Sequence, residues 1–424
     1  MSLSVPEVWT AREAVLFTLR NNPDSTIAKY KIDAADSAIT MQKAAFYPHL
    51  ALSSRYGQTD NPMYSFGNIL NQGAFSPSID FNDPGRTDDF NVAVKLSYRL
   101  YNGGRDQAGI EAAEAQEYAS QMALLSVQDQ LAFNAVRIFN LIIQAEGGVA
   151  AHRTGLEAID ASLAVAKARY GEGVLLKTDL LNLEVQQSRS QENVSQAENG
   201  LEVTRKIFLN LLGLADGVVQ IDDQSCKDQE IPAERTINQR PELKRIDAMI
   251  RAAEARVDMA RGGRYPTVDG YAGYDLDQGT VTGGGGTSWQ AGVQLNLPLF
   301  DGHHTDAALR GAEAMLAKVR EQRRKVELAI GLEVKQAELA IRDAETRLAV
   351  TEKTVEQARE SARIHRARFK EGEILASDLI GVENGLTDAL LRRTLAETAQ
   401  RIAIADLRRA LGLAQFSGES SGGE

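Results

Sequence analysis

The sequence has few of the residues that build disulfide-linked domains, membrane-spanning helices or aromatic-rich cores. One cysteine in 424 residues means that no disulfide can form within the chain. There is no run of about 18 apolar residues, which excludes a transmembrane helix. Aromatic residues make up 6% of the chain and prolines number 10. This composition is typical of long helices rather than of a compact α/β enzyme.

Several functional motifs are missing as well. The net charge is −11 without a basic stripe, so no nucleic-acid partner is expected. No nucleophile–base grouping, phosphate-binding loop or zinc-ligand spacing occurs, so we predict no enzyme activity, cofactor or metal. The adjacent His303 and His304 would point in different directions on a helix and do not indicate a metal site. The opening MSLSVPEVWT lacks a basic segment followed by an apolar one, so no signal peptide is predicted in this chain.

What the sequence does contain is a long internal repeat. The segment ARYGEGVLLKTDL returns as ARFKEGEILASDL, which places Asp179 and Asp378 199 positions apart. Other motif pairs are separated by 199 positions or, upstream, by 218: Tyr101 and Phe300, Leu212 and Leu411, and, at 218, Tyr47 and Tyr265. A tandem duplication with one loop lengthened in the first copy explains both spacings.

The duplication predicts how the chain is organised. We expect a first repeat at 8–214, an equatorial connection at 215–239, a second repeat at 240–413 and a tail at 414–424. Each repeat should contain helices, two strands and a long helical hairpin. The strands are predicted at about 48–57, 89–101, 266–275 and 288–300, and the hairpins at about 105–212 and 303–411.

The predicted strands have two different faces. In FNVAVKLSYRLY, which begins at Phe90, apolar residues alternate with polar ones such as Lys95 and Arg99. The segment that begins at Trp289 alternates in the same way, with Gln294 on the polar side. Such alternation indicates a strand with one apolar face. A membrane barrel and a soluble hairpin packed on helices both show it, so the strands alone leave both open.

The predicted long helices carry a coiled-coil seam. From Ile330 to Ala362, apolar residues recur in alternating steps of four and three. The helix predicted from Arg105 to Tyr170 would be about 100 Å long. A helix of that length is too long for an ordinary globular core, so we expect an elongated helical structure.

Taken in order, these motifs resemble the TolC family of outer-membrane efflux and export channels over essentially the whole chain. The resemblance implies a mainly α fold with a β-barrel part, in which a homotrimer of duplicated subunits builds a twelve-stranded barrel in outer-membrane lipid. The long helices would form a periplasmic tunnel in a Gram-negative bacterium. The implied function is a passive exit duct for a tripartite efflux or type I secretion system, docked to a periplasmic adaptor and an inner-membrane pump. A soluble coiled-coil scaffold with β-hairpins is the alternative.

The resemblance also implies roles for particular residues. Each repeated motif becomes a helical turn at the periplasmic tip, where threefold symmetry turns an acidic side chain into a ring. The aperture candidates are Asp378, Asp179 and Lys177. The candidates for contact with the adaptor are Glu172, Gly173, Val174, Leu175, Glu371, Gly372 and Ile374. The candidates for the barrel lumen are Lys95, Arg99 and Gln294.

The chain departs from the family pattern beside Asp378. Gly381 stands where a second acidic residue fits the family, and Ile374 stands where an arginine latch does. A double acidic ring with an arginine lock is therefore not expected. A local alternative is that Asp179, Asp378 and the hydroxyl residue before each simply cap the returning helices. The transported substrate and the pump family are not predicted.

Overall fold

The computed structural model describes residues 6–226, 230–233, 237 and 239–416. The remaining residues of the predicted connection and of the predicted tail lie outside this description. The helices are α1 (Ala11–Asn21), α2 (Pro23–Lys43), α3 (Pro62–Asn71), α4 (Arg105–Gly171), α5 (Lys177–Leu211), α6 (Pro241–Gly262), α7 (His304–Glu371) and α8 (Ala376–Ala410). The strands are β1 (His49–Thr59), β2 (Thr87–Tyr101), β3 (Thr267–Gln278) and β4 (Gly285–Asn296).

The chain divides into two compact units. The first comprises Met1–Lys31, Gln121–Arg245 and Arg324–Glu424, and the second comprises Ile32–Ser120 and Ile246–Arg323. Within the described residues, every helix is too short or too polar to cross a membrane.

In the first unit, the residue before each helix-starting proline closes a helix from its own repeat. Asn22, which precedes α2, donates from Nδ2 to the carbonyl of Leu211, the last residue of α5, at 2.7 Å. Arg240, which precedes α6, donates from Nη1 to the carbonyl of Ala410, the last residue of α8, at 2.9 Å. Both bonds satisfy carbonyls that a helix end leaves without a partner. The Asn22 amide and the Arg240 guanidinium therefore satisfy equivalent helix-end carbonyls in the two repeats.

The core of the first unit is aromatic at one point and alanine-rich along the helices. Trp9 is fully buried and meets Phe17 and Phe208 edge-on, with ring centroids 5.2 and 5.7 Å apart. Edge-to-face contacts of this kind stabilise a core beyond the area they bury. The coiled-coil seam predicted along α7 turns inward at these buried residues: Ile330, Ala337, Ile341, Ala344, Val355 and Ala362.

In the second unit, the strands form an antiparallel sheet in the order β1-β2-β3-β4. The register separates the side chains into two faces. One row across the apolar face is Leu52, Val94, Tyr274 and Trp289. The neighbouring row, on the polar face, is Ser53, Ala93, Asp275 and Ser288. An irregularity after Arg99 sets Tyr101 opposite Val268, which keeps this tyrosine on the apolar side.

The structure differs from the sequence prediction at two places in this unit. β4 ends at Asn296 instead of continuing to residue 300, because Pro298 has no N–H to donate to a ladder. The linker between β1 and β2, predicted as a loop, contains α3. Asn61 caps this helix by accepting from the N–H of Met63 at 3.1 Å, and Pro62 occupies its first position.

Candidate functional site

The two repeated motifs form the turns between α4 and α5 and between α7 and α8. In the first turn, Gly173 adopts a positive φ of 77° and donates to the carbonyl of Tyr170, while Val174 donates to that of Arg169, both at 3.0 Å. The same pair of bonds surrounds Gly372, whose φ is 84°. This is the Schellman arrangement, which needs a residue that tolerates a left-handed backbone. Glycine at these two positions is therefore a conformational requirement.

The two turns share one small apolar core. Its buried members are Leu163, Ala166, Leu183, Phe369, Ala376 and Leu379. Of the predicted adaptor-contact residues, Leu175 and Ile374 pack half-buried against this core. The others are exposed: Glu172, Gly173, Val174, Glu371 and Gly372.

A single arginine ties one turn to the other. Arg169 donates from Nη1 to the carbonyl of Phe369 at 2.8 Å, and its guanidinium carbon lies 5.9 Å from the centroid of the Phe369 ring. A Cβ atom on Gly372 would overlap this guanidinium, so a side chain there would displace it. The equivalent arginine of the second motif, Arg368, instead pairs with Glu373 at 3.2 Å. Both arginines occupy the same position of the repeated motif, so the sequence does not indicate that their partners differ.

The acidic residues of the motif do not cap the helices. The N-cap residues are Leu176 and Leu375, and neither helix has a side-chain cap. The capping alternative is therefore wrong. Asp378 is exposed and Asp179 half-buried, each in the first helical turn, where the helix dipole favours a negative charge. Within the described part of the chain, neither carboxylate has a hydrogen-bond or ion-pair partner, and the exposed Lys177 has none either.

Behind the second turn lies an ion pair whose carboxylate is buried. Both carboxylate oxygens of Glu383 accept from the Arg366 guanidinium, at 2.5 and 2.7 Å, and only 2% of the Glu383 side chain is exposed. Donating these hydrogen bonds to the Glu383 carboxylate raises the pKa of Arg366. The equivalent pair of the first repeat, Lys167 and Glu184, is 4.0 Å apart and exposed.

A second charged cluster lies in the same unit around the start of α6. The guanidinium of Arg240, almost wholly buried, binds Glu242 at 2.9 Å and Glu333 at 3.3 Å, and Arg409 binds Glu333 at 3.2 Å. Asp129 on α4 faces this cluster. Burial, with a smaller effect from the negative charge of Glu242, raises the pKa of Asp129 to about 6, against the opposing effect of the two arginines. Nothing in the local sequence signals this residue.

In the second unit, the predicted lumen residues share the polar face of the sheet. Arg99 lies opposite Asp269, which lies opposite Gln294, and Arg99 Nε is 3.5 Å from the Asp269 carboxylate. Lys95 and Gln294 are exposed. The opposite face is apolar yet also exposed, with Trp289 76% accessible.

No metal centre is evident among the described residues. Within them, no group of three or more His, Cys, Asp or Glu side chains is arranged to hold a metal ion. His303 precedes α7 with a positive φ of 66°, and His304 is the first residue of that helix.

Comparison with known proteins covers almost the whole chain. A family model described as outer membrane efflux protein matches residues 17–213 and 233–413. Protein CyaE of Bordetella pertussis is 26% identical over 349 residues, which cover 78% of this chain and 69% of CyaE. The fold is similar to that of CusC, with a TM-score of 0.82 at 17% identity over 97% of this chain and 96% of CusC. It is also similar to the CmeC outer membrane channel of Campylobacter jejuni, with a TM-score of 0.81 at 15% identity over 99% and 92% of the two chains. The resemblance predicted from the motifs is confirmed, and so is the fold class of a duplicated, mainly helical subunit with a small antiparallel sheet; the homotrimer stays a prediction.

Proposed function

Because the chain belongs to the outer membrane efflux protein family, we propose that three copies of it assemble into the exit duct of a tripartite efflux or type I secretion system. The family consists of transport channels rather than enzymes, and an exit duct in the outer membrane of a Gram-negative bacterium follows from membership. We propose in addition the trimer, its docking partners and the residues of its aperture.

The observation that carries the proposal is the two-faced sheet. β1 and β4 are edge strands, and unpaired edges cannot be left in lipid. Three copies would close twelve strands into a barrel by pairing β4 of one subunit with β1 of the next. The exposed apolar face, which includes Leu52 and Trp289, would then meet lipid. A soluble scaffold has no use for such a face, so this feature favours the channel.

The polar face of the sheet would line the lumen. Lys95, Arg99 and Gln294 all lie on it. Arg99 is already paired with Asp269 and Asp106, each at 3.5 Å. Lys95 therefore offers the more available positive charge to solutes that pass.

We assign the aperture chiefly to Asp378. It is exposed at the start of α8, and threefold symmetry would set three such carboxylates around one mouth. A ring of like charges attracts cations. Asp179 is half-buried, so it contributes less, and Lys177 beside it supplies the opposite charge. Because Arg169 bonds to Phe369, the two turns of a subunit would move as one body when the mouth opens.

The tip surface offered to a periplasmic adaptor would be the exposed part of the two turns. Val174 is 60% exposed and Leu375 57%, and the acidic Glu172 and Glu371 flank them. Exposed aliphatic side chains at a rigid turn provide an apolar contact surrounded by a polar rim. Opening would follow docking of the adaptor and the inner-membrane pump.

The aperture is tested by single-channel recording in planar bilayers. Asp378→Ala should raise conductance and weaken block by divalent cations, because it removes the ring of charge. Glu345→Ala is the matched control, since it removes an exposed carboxylate of α7 that lies about 39 Å along the helix from the turn, and it should leave the block unchanged. An identical response of Asp378→Ala and wild type would refute the aperture assignment.

The assembly is tested by its mass and solubility. We expect a trimeric mass in detergent and precipitation when the detergent is removed. A monomer that stays soluble and fully helical in plain buffer would contradict the channel and support the scaffold.

A further inference from the structure

The linker between β1 and β2 folds back over the sheet. β1 follows α2 and β2 leads into α4, so α3 lies at the end of the sheet that is remote from these helices. A cavity of about 580 Å³ lies beneath it. Asn68 and Asn71 of α3 line this cavity from one side. The sheet lines it from the other side with Ser53, Arg55, Asn91, Lys95, Asp275 and Gln290.

A buried glutamine just after α3 fixes this position. Gln72 is 1% exposed, and its Nε2 donates to the carbonyl of Asp88 at 2.8 Å and to Oδ1 of Asp89 at 3.1 Å. Its Oε1 accepts from the hydroxyl of Thr282 at 2.6 Å. Gln72 thus bonds to the start of β2 and to the loop between β3 and β4. With Asn68 donating to Thr87 Oγ1 at 3.0 Å, side-chain hydrogen bonds hold α3 to the start of β2 and to this loop.

The glycine-rich loop between β3 and β4 is shaped to accept this helix. A Cβ atom on Gly284 or Gly286 would overlap the backbone of Gln72 or Asn71. A Cβ atom on Gly279 would overlap the Gln72 side chain. The glycines therefore allow the loop to approach the end of α3 closely.

The face that α3 covers decides where the helix lies in the assembled channel. The sheet residues that line the cavity belong to the polar face, except Trp289, which lies on the apolar face between Ser288 and Gln290. In a closed barrel the apolar face meets lipid and the polar face turns inward. A helix on the outside of the barrel would instead cover the apolar face.

We propose that α3 lies inside the barrel, where three copies narrow the outer exit of the duct and limit the size of solutes that pass. This inference rests on the proposed trimeric barrel. The polar floor beneath α3, which carries both Lys95 and Asp275, leaves a hydrated path for polar solutes. α3 is thus a size-determining element of the barrel.

The test compares two neighbouring serines that lie on opposite faces of β1. Ser53 lines the cavity beneath α3, and Ser54 lies on the apolar face. Each is replaced by cysteine in a Cys226→Ser background and labelled in intact outer membranes with membrane-impermeant thiol reagents of small and large size. With α3 in place, Ser53→Cys should react with the small reagent and slowly with the large one, and Ser54→Cys should not react.

Removing α3 should then open the exit. Thr59 pairs directly with Thr87, so residues 60–86 can be replaced by a two-residue Asn-Gly hairpin turn without changing the register. The ratio of large-reagent to small-reagent rates at Ser53→Cys should rise severalfold. Gln72→Ala keeps the helix and removes its anchor, so it should raise the same ratio partway. This variant provides the test if the shortened chain does not assemble.

The outcomes separate the two proposals. Equal labelling of Ser54→Cys and Ser53→Cys would contradict the barrel itself. Labelling of Ser53→Cys alone, with a rate ratio unchanged by both α3 variants, would leave the barrel standing and overturn the lumenal position of α3.

Discussion

Replacing Asp129 with asparagine should stabilise the protein at neutral and alkaline pH and change little in acid. The pKa of this carboxyl is raised from 3.8 to about 6 in the folded chain, chiefly by burial and then by Glu242. A group whose pKa is raised by folding supports stability while it is protonated, and that support is lost as the pH rises through the folded pKa. Wild type should therefore lose stability between about pH 4 and pH 6 on account of Asp129, and the asparagine variant should not.

The size of the effect follows from the shift. A change of one pKa unit corresponds to about 1.4 kcal/mol, which sets a ceiling of about 3 kcal/mol above pH 7. Because Asp129 is only half-buried, we expect about 2 kcal/mol. At the average unfolding entropy per residue, a chain of this length gains about 1 °C in melting temperature per kcal/mol, so Asp129→Asn should melt about 2 °C higher at pH 8.

The assay is thermal unfolding followed by far-ultraviolet circular dichroism at a series of pH values from 4 to 8. Asp36→Asn, at an exposed site on α2, is the matched control and should follow wild type throughout. A variant that is less stable than wild type at pH 8 would refute the reasoning, because it would mean that an ionised Asp129 supports Arg240 and Arg409. A difference of the same size at pH 4 and pH 8 would refute it too.

Two further predictions concern the paired turns. Gly173→Ala should lower the free energy of unfolding by about 1 to 2 kcal/mol, because alanine is strained in a left-handed backbone. Gly372→Ala should lower it measurably more, since its Cβ atom also displaces Arg169. Equal losses in melting temperature would count against the Arg169 contact. Glu383→Gln should lower the free energy of unfolding by about 1 to 3 kcal/mol, because it weakens a charge-assisted pair with a buried carboxylate. Glu184→Gln, at the exposed equivalent, should lower it by less than about 1 kcal/mol. Urea unfolding of the two variants checks this, and equal shifts of the urea midpoint would contradict it.

Much of the fold could be predicted because its signals are local or repeated. The alternation from Phe90 marks β2, and Pro23 and Pro241 stand at the first positions of α2 and α6. The glycines of the repeated motif mark where α4 and α7 end. Each of these features depends on backbone geometry that a few neighbouring residues determine, so the pattern and the structure agree.

The missed features depend on contacts between distant segments. α3 carried a local signal, Asn61 followed by Pro62, but it lies in a long linker whose position is decided by Gln72 and the loop after β3. Asp129 faces partners more than a hundred positions further along the chain. Arg169 and Arg368 occupy equivalent motif positions, yet only Arg169 reaches the other turn. The assignments of aperture, adaptor-contact and lumen residues remain predictions.

Equivalent side chains of the two repeats differ in burial where other parts of the chain pack over one of them. Lys167 with Glu184 and Arg366 with Glu383 have the same charges at the same spacing, but the exposed fraction of the glutamate side chain is 43% in the first pair and 2% in the second. Spacing along a hairpin brings such a pair together, and its burial is decided by what packs over it. The pair with the buried glutamate stands behind the turn that carries Asp378. A carboxylate acts in a ring only if its position is held, so this anchored second turn, rather than the first, is the one suited to carry the aperture.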